Sequence, residues 1–200
     1  MKPAKTFDEY VKDATIKKVS INKAKAEFLI NESQNSLEGL KERIELIGIN
    51  NKNANSIIKD CYDILMELIR ADLLLKGYNS SGYFAHEAEI SYLIKLKFSE
   101  EDVSFLNEIR FFRNSITYQG KILDKDYAEK VYTFLNKIYQ RLKDILNDKL
   151  GWSMIRTKKL VILFAILFVF SFISAGNYGA GTFGEGTFNV GEVPVIPSAG

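Results

Sequence analysis

Only one proline, Pro3, occurs in the first 150 residues, and the apolar positions of that tract recur three and four apart rather than alternating. Proline interrupts helices and exposed strands need a period of two, so this spacing without breakers predicts an all-α unit, a helical bundle. A first helix is expected from about Ile21 to Ile47, with Ala24, Phe28, Leu37, Leu40, Ile44 and Ile47 on its apolar side and Gly48 as its stop. The segment "NNKNAN" is then a turn. A second helix, about Asn55 to Lys76, aligns Ile57, Cys61, Ile64, Leu65, Leu68 and Leu75 and ends at Gly77. Residues 78–82, "YNSSG", read as a loop, and a shorter helix is expected from Tyr83 to Lys95. Ser99 with Asp102 opens the next helix, which carries Phe105, Ile109 and Phe112, delivers Arg113 and stops near Gly120. Asp126 with Glu129 signals the last one, whose Val131, Leu135, Ile138, Leu142 and Ile145 step by four and three, as a bundle seam requires. Phe7, Tyr10 and Val11 add a short leading helix.

Charge limits what such a bundle binds. Residues 1–150 carry 24 Lys/Arg against 23 Asp/Glu, and residues 151–200 carry three against two. That balance lacks the basic footprint of a dedicated duplex binder, so any nucleic-acid contact must be local, around Arg110, Arg113 and Lys121. One cysteine, one histidine and the absence of zinc or EF-hand spacing give no metal site. No Lys-containing phosphate loop is present either, and no cofactor is expected. Cys61, on an apolar face and without a disulfide partner, reads as a small core hydrophobe.

Residues 160–175, "LVILFAILFVFSFISA", are a different material: no charge, and no polar side chain but two serines. As a helix the run reaches about 24 Å, against a hydrocarbon core of about 30 Å, which fits a tight single span or the core of a signal peptide. Residues 151–159 form a basic linker in which Arg156, Lys158 and Lys159 precede the run, so the positive-inside rule keeps residues 1–150 cytoplasmic and sends the tail outside. From Met154 the same stretch has the grammar of a secretory signal, a basic start, an apolar core and small residues around Ser174 and Ala175. Two explanations stand: a single-pass anchor in the cell membrane, or two joined reading frames, in which case the bundle is a soluble cytoplasmic protein.

The Gly-rich tail, residues 176–200, contains "GAGTFGEG", a literal G-x-G-x-x-G at Gly179, Gly181 and Gly184. A dinucleotide site needs a strand before it, a helix after it and an acidic residue some twenty positions on, and the chain has none of these there. The stretch reads instead as a repeat, "GAGTF" and "GEGTF", without a catalytic role.

The block from about Asn53 to Leu142 resembles the HEPN superfamily of small helical bundles. The resemblance lies in the long helix "IIKDCYDILMELIRADLLLKGY", the loop into "AHEAEISYL", and the pair Arg113 and Asn114 in "RFFRNSITYQG" before a final long helix; it covers roughly the first 145 residues once the helix from Ile21 is counted. It implies a four- or five-helix bundle that dimerises across the helix bearing the arginine. In active members an Arg-x4-6-His motif from each subunit builds a composite, metal-independent RNase site. Histidine takes the proton of the ribose 2′-hydroxyl, arginine holds the phosphate as charge builds, and the neighbouring asparagine orients the site.

This sequence departs from the motif where the base should be. With four residues between, Arg113 is followed by Tyr118, and tyrosine, with an ordinary pKa of about 10, stays protonated at neutral pH. In some HEPN toxins a tyrosine near the motif is nucleotidylated by a partner nucleotidyltransferase, a role the resemblance offers Tyr118. His86, the chain's only histidine, replaces the missing base only if the fold brings it to Arg113. The candidate residues are therefore Arg113, Asn114, Tyr118 and His86. The expected function is a membrane-tethered, non-catalytic HEPN-like domain that homodimerises and binds a protein or RNA partner, with membrane lipid met through residues 160–175. The alternatives are a metal-independent endoribonuclease of a toxin-antitoxin system, and a structural bundle or artificial fusion.

Overall fold

Residues 5–151 are described by a computed structural model. Residues 160–175 and the Gly-rich tail lie outside the described residues, and so do the expectations placed on them. Among the described residues no helix is long and apolar enough to cross a membrane.

Four long helices make the bundle: α2 (Lys23–Ile47), α3 (Ala54–Leu75), α5 (Glu100–Gln119) and α6 (Lys125–Leu150). Two short ones, α1 (Phe7–Lys12) and α4 (Ala85–Ser91), complete the six among the described residues, and α4 continues into a 3-10 turn at Tyr92–Leu96. The helical class expected from the spacing holds.

The hub is α3, against which α2, α4, α5 and α6 all pack. The expected stripe of Ile57, Cys61, Ile64, Leu65 and Leu68 is buried, but so are Ile58, Tyr62, Met66, Ile69 and Leu73 on its other sides. Apolar residues cover most of its circumference and leave Lys59, Asp60, Asp63, Glu67 and Arg70 as a polar stripe, so neighbours pack on several sides, and each large side chain so buried contributes about 1.5–3 kcal/mol. Cys61 is buried and free, and burial pushes its thiol pKa up.

Four local expectations need correction. On α2 the buried stripe is Ala26, Ile30, Ser33, Leu37 and Leu40, whereas Ala24, Phe28 and Ile47 face out. Apolar residues stand on both sides of its first turns, so spacing alone leaves the facing side undetermined; Ser33 goes inside because its hydroxyl donates to the Ile64 carbonyl at 3.0 Å.

The "YNSSG" segment is not simply a loop. Tyr78–Ser80 is strand β2, paired antiparallel with β1 (Ile16–Lys18), in register Ile16 to Ser80 and Lys18 to Tyr78. Two three-residue strands carry no measurable alternation, and their partners are distant in sequence.

The last helix begins earlier than Asp126. Asp124 caps it by accepting from the Tyr127 amide at 2.9 Å, and the Asn51 side chain takes the Lys125 amide at 2.7 Å. Asn55 also clamps this corner, donating to the Lys121 carbonyl and accepting from the Leu123 amide. The short helix, too, starts at Ala85 rather than Tyr83 and tightens to 3-10 geometry after Ser91.

Candidate functional site

The polar side chains of α3 that interrupt its apolar surface converge with those of α4 and α5. From α3 come Tyr62, Asp63 and Arg70, from α4 His86, Glu87 and Glu89, and from α5 Arg110 and Arg113. Tyr62 is buried, and a buried phenol needs a polar partner. It finds His86, whose Nδ1 lies 2.7 Å from the Tyr62 hydroxyl and whose ring lies nearly parallel, 6.0 Å between centroids.

The other ring nitrogen of the imidazole is held by Arg70. Its Nη2 reaches His86 Nε2 at 3.1 Å, while its Nε contacts both Glu89 carboxylate oxygens at 3.0 and 3.1 Å. A guanidinium only donates, so Nε2 must accept; the neutral ring then carries its proton on Nδ1 and donates it to the Tyr62 oxygen. Burial lowers the His86 pKa; Glu89 opposes this, and Arg70 and Arg113 reinforce it. Burial also works against the charge on Arg70, but the hydrogen bond and charge of Glu89 outweigh it and raise the Arg70 pKa. Ser80 donates to Glu89 from β2, which ties the small sheet to the cluster.

Arg113 reaches the same tyrosine from α5. Its guanidinium carbon lies 5.9 Å from the Tyr62 ring centroid and its Nη2 lies 3.5 Å from Asp63. Its Nε is buried with no hydrogen-bond partner. Arg110, one turn earlier, pairs with Glu87 at 2.6 Å, and Glu87 also accepts from the Tyr10 hydroxyl at 3.3 Å. Burial, then the Glu87 charge, pushes the Tyr10 pKa up to about 12.

The four residues singled out in the sequence therefore separate. His86 and Arg113 come to one tyrosine, His86 at its hydroxyl and Arg113 near its ring. Tyr118 lies five residues past Arg113 along a helix, so about 140° round the axis, and is 78% exposed. Asn114 is half-buried between them on α5. The suggested basic cluster is also engaged: Arg110 and Arg113 face carboxylates, and Lys121 lies over the Phe112 ring at 4.0 Å.

Sequence reading missed Tyr62, Arg70 and Glu89. A signal existed. For Arg70 it is a charge set within the leucine- and isoleucine-rich run of residues 64–75, where charge is rarely placed without a partner; for Glu89 the local sequence carries none. No protein-family model matches the chain, and no curated protein matches it in sequence, so the resemblance rests on the residues named above.

Proposed function

We propose that the chain is a HEPN-like helical domain that acts by binding a partner rather than by cutting RNA. In this reading it pairs with a second copy across the outward face of α5 and is held at the cytoplasmic face of a membrane by residues 160–175. The observation that carries binding over cleavage is the state of His86. A general base needs a lone pair directed at the proton it removes, and the one that His86 has is turned to Arg70. Around it three arginines, Arg70, Arg110 and Arg113, meet three carboxylates, Glu89, Glu87 and Asp63, so the cluster presents little net charge to a phosphate.

The pairing surface is argued from α5. Phe111, Asn114 and Tyr118 follow one another at helical spacing along its outer side, with Phe111 58% exposed. Large aromatic side chains left in water in a row favour a partner that covers them.

One observation favours a second reading, a metal-independent endoribonuclease: His86 and Arg113 share the Tyr62 ring. Incubating the full-length chain with RNA in the presence of a chelator separates the two. The binding reading expects intact RNA; cleavage that disappears in folded Arg113→Ala and His86→Ala chains would establish the nuclease instead.

A further inference from the structure

The bundle's charges nearly cancel, yet they are unevenly placed. Where α6 finishes, a cleft of about 500 Å3 opens between α1, the end of α3, β2, the 3-10 turn and α6. Lys76, Lys95, Lys97 and Lys149 line it against a single lining carboxylate, Asp8, and Phe7 and Tyr92 supply apolar wall. Two of the lysines are committed: Lys149 to the buried Asp72, and Lys95 to Asp8 at 2.6 Å. Among the described residues Lys76 and Lys97 meet no carboxylate, which leaves the cleft cationic.

Lysines at helix C-termini are favoured in any case, and that accounts for Lys76 and Lys149 at the ends of α3 and α6. The same reason covers Lys95, in the last turn of the 3-10 segment that continues α4, whereas Lys97 caps that end through its backbone and leaves its ammonium to the cleft. Lys97 is moreover in the left-handed backbone region, with φ +62°, which a lysine rarely adopts; its carbonyl accepts from Arg141 at 2.6 Å.

We infer that this cleft seats the phosphate-bearing headgroups of anionic membrane lipid. The inference rests on the tethered reading above. The chain leaves the bundle at Gly151, two residues after Lys149, and continues through Arg156, Lys158 and Lys159 to the uncharged run that starts at Leu160. Nine residues of chain extend at most about 30 Å, so a tether at Leu160 keeps the α6 end of the bundle close to the bilayer surface. Lysines near an anionic surface gain from its potential, and Tyr78, also on the cleft wall, is of the type that settles at headgroup level.

The test uses the full chain with vesicles of phosphatidylcholine alone or with phosphatidylglycerol added. Flotation reports the tether, and mass-spectrometric amine labelling reports each lysine. Acylation needs the neutral amine, and an adjacent anionic surface stabilises the charged one, so labelling of Lys76, Lys95 and Lys97 is expected to slow roughly fivefold on anionic vesicles only, with Lys125 at the opposite end of α6 unchanged. Flotation on both vesicles with equal labelling overturns the cleft and leaves the tether standing. Flotation on anionic vesicles alone, lost in Lys76→Gln/Lys97→Gln, supports the cleft and removes the tether; flotation on neither overturns both. Inorganic phosphate slowing the same lysines equally on neutral vesicles would assign the cleft to a soluble anion and overturn the lipid. The double variant spares Lys149, whose loss would leave Asp72 charged and buried.

Discussion

Arg70 Nη2 lies 3.1 Å from His86 Nε2, and this contact decides the chemistry of the only imidazole in the chain. It fixes the tautomer, occupies the lone pair and joins α3 to α4. Because the same guanidinium also grips Glu89, the histidine cannot be judged without the ion pair beside it.

With one histidine, a single imidazole resonance reports the site. Burial, assisted by Arg70 and Arg113 against Glu89, lowers its pKa from the ordinary 6.5. The unfolded chain then takes up a proton that the folded one refuses. This contribution to stability is complete above about pH 6.5 and is lost as pH falls from there toward the lowered folded value. An NMR titration should give a midpoint below 6.5, moving upward in Arg70→Ala; a midpoint above 6.5 would show the ring is not held neutral.

Removing Arg70 strands Glu89, only 3% exposed. Breaking a buried pair this way costs about 3–5 kcal/mol, and the lower figure is expected because the Arg70 side chain is itself 35% exposed. Chemical denaturation of Arg70→Ala measures it. Adding Glu89→Gln should recover part of the loss, and no recovery would mean that the arginine acts by packing.

Asp72 is fully buried between the Tyr92 hydroxyl, at 2.7 Å, and Lys149. A hydrogen bond to a buried charge contributes about 1.5–3 kcal/mol, so Tyr92→Phe should lower the unfolding free energy by that amount without changing the secondary structure seen by circular dichroism. A change below measurement error would mean that Lys149 alone satisfies the carboxylate.

Gly77 has φ +72°, and a Cβ placed there would meet the Val19 carbonyl oxygen at 2.9 Å. Gly77→Ala should therefore destabilise the chain by more than about 1 kcal/mol, since strain and a backbone clash add. Gly120 is also left-handed but open, so Gly120→Ala should cost less. Thermal unfolding of both variants checks the order.

The two faces of α5 should respond oppositely. Phe111→Ser and Tyr118→Ser, on the exposed side, should weaken self-association in light scattering and leave stability within about 0.5 kcal/mol. Ile109→Ala, on the buried side, should cost about 2–5 kcal/mol. Unchanged association in the aromatic variants would exclude this face as the seam.

What the sequence by itself determined is the helical class and the rough extent of most elements. Three-and-four spacing on Val131, Leu135, Ile138 and Leu142, and glycines at 48 and 120, act over a few residues and need no knowledge of neighbours. The sequence also supplied His86 and Arg113 as candidates. It could not supply their relation, because Tyr62, Asp63 and Arg70 reach them only once α4 and α5 pack on α3. The same holds for β1 with β2, whose pairing joins Ile16 to Ser80, and for the inward side of α2, chosen by Ser33 meeting the Ile64 carbonyl. Periodicity is a local property of the backbone. Partner choice, proton position and charge balance depend on distances between segments far apart in the chain, and only the tertiary structure sets those.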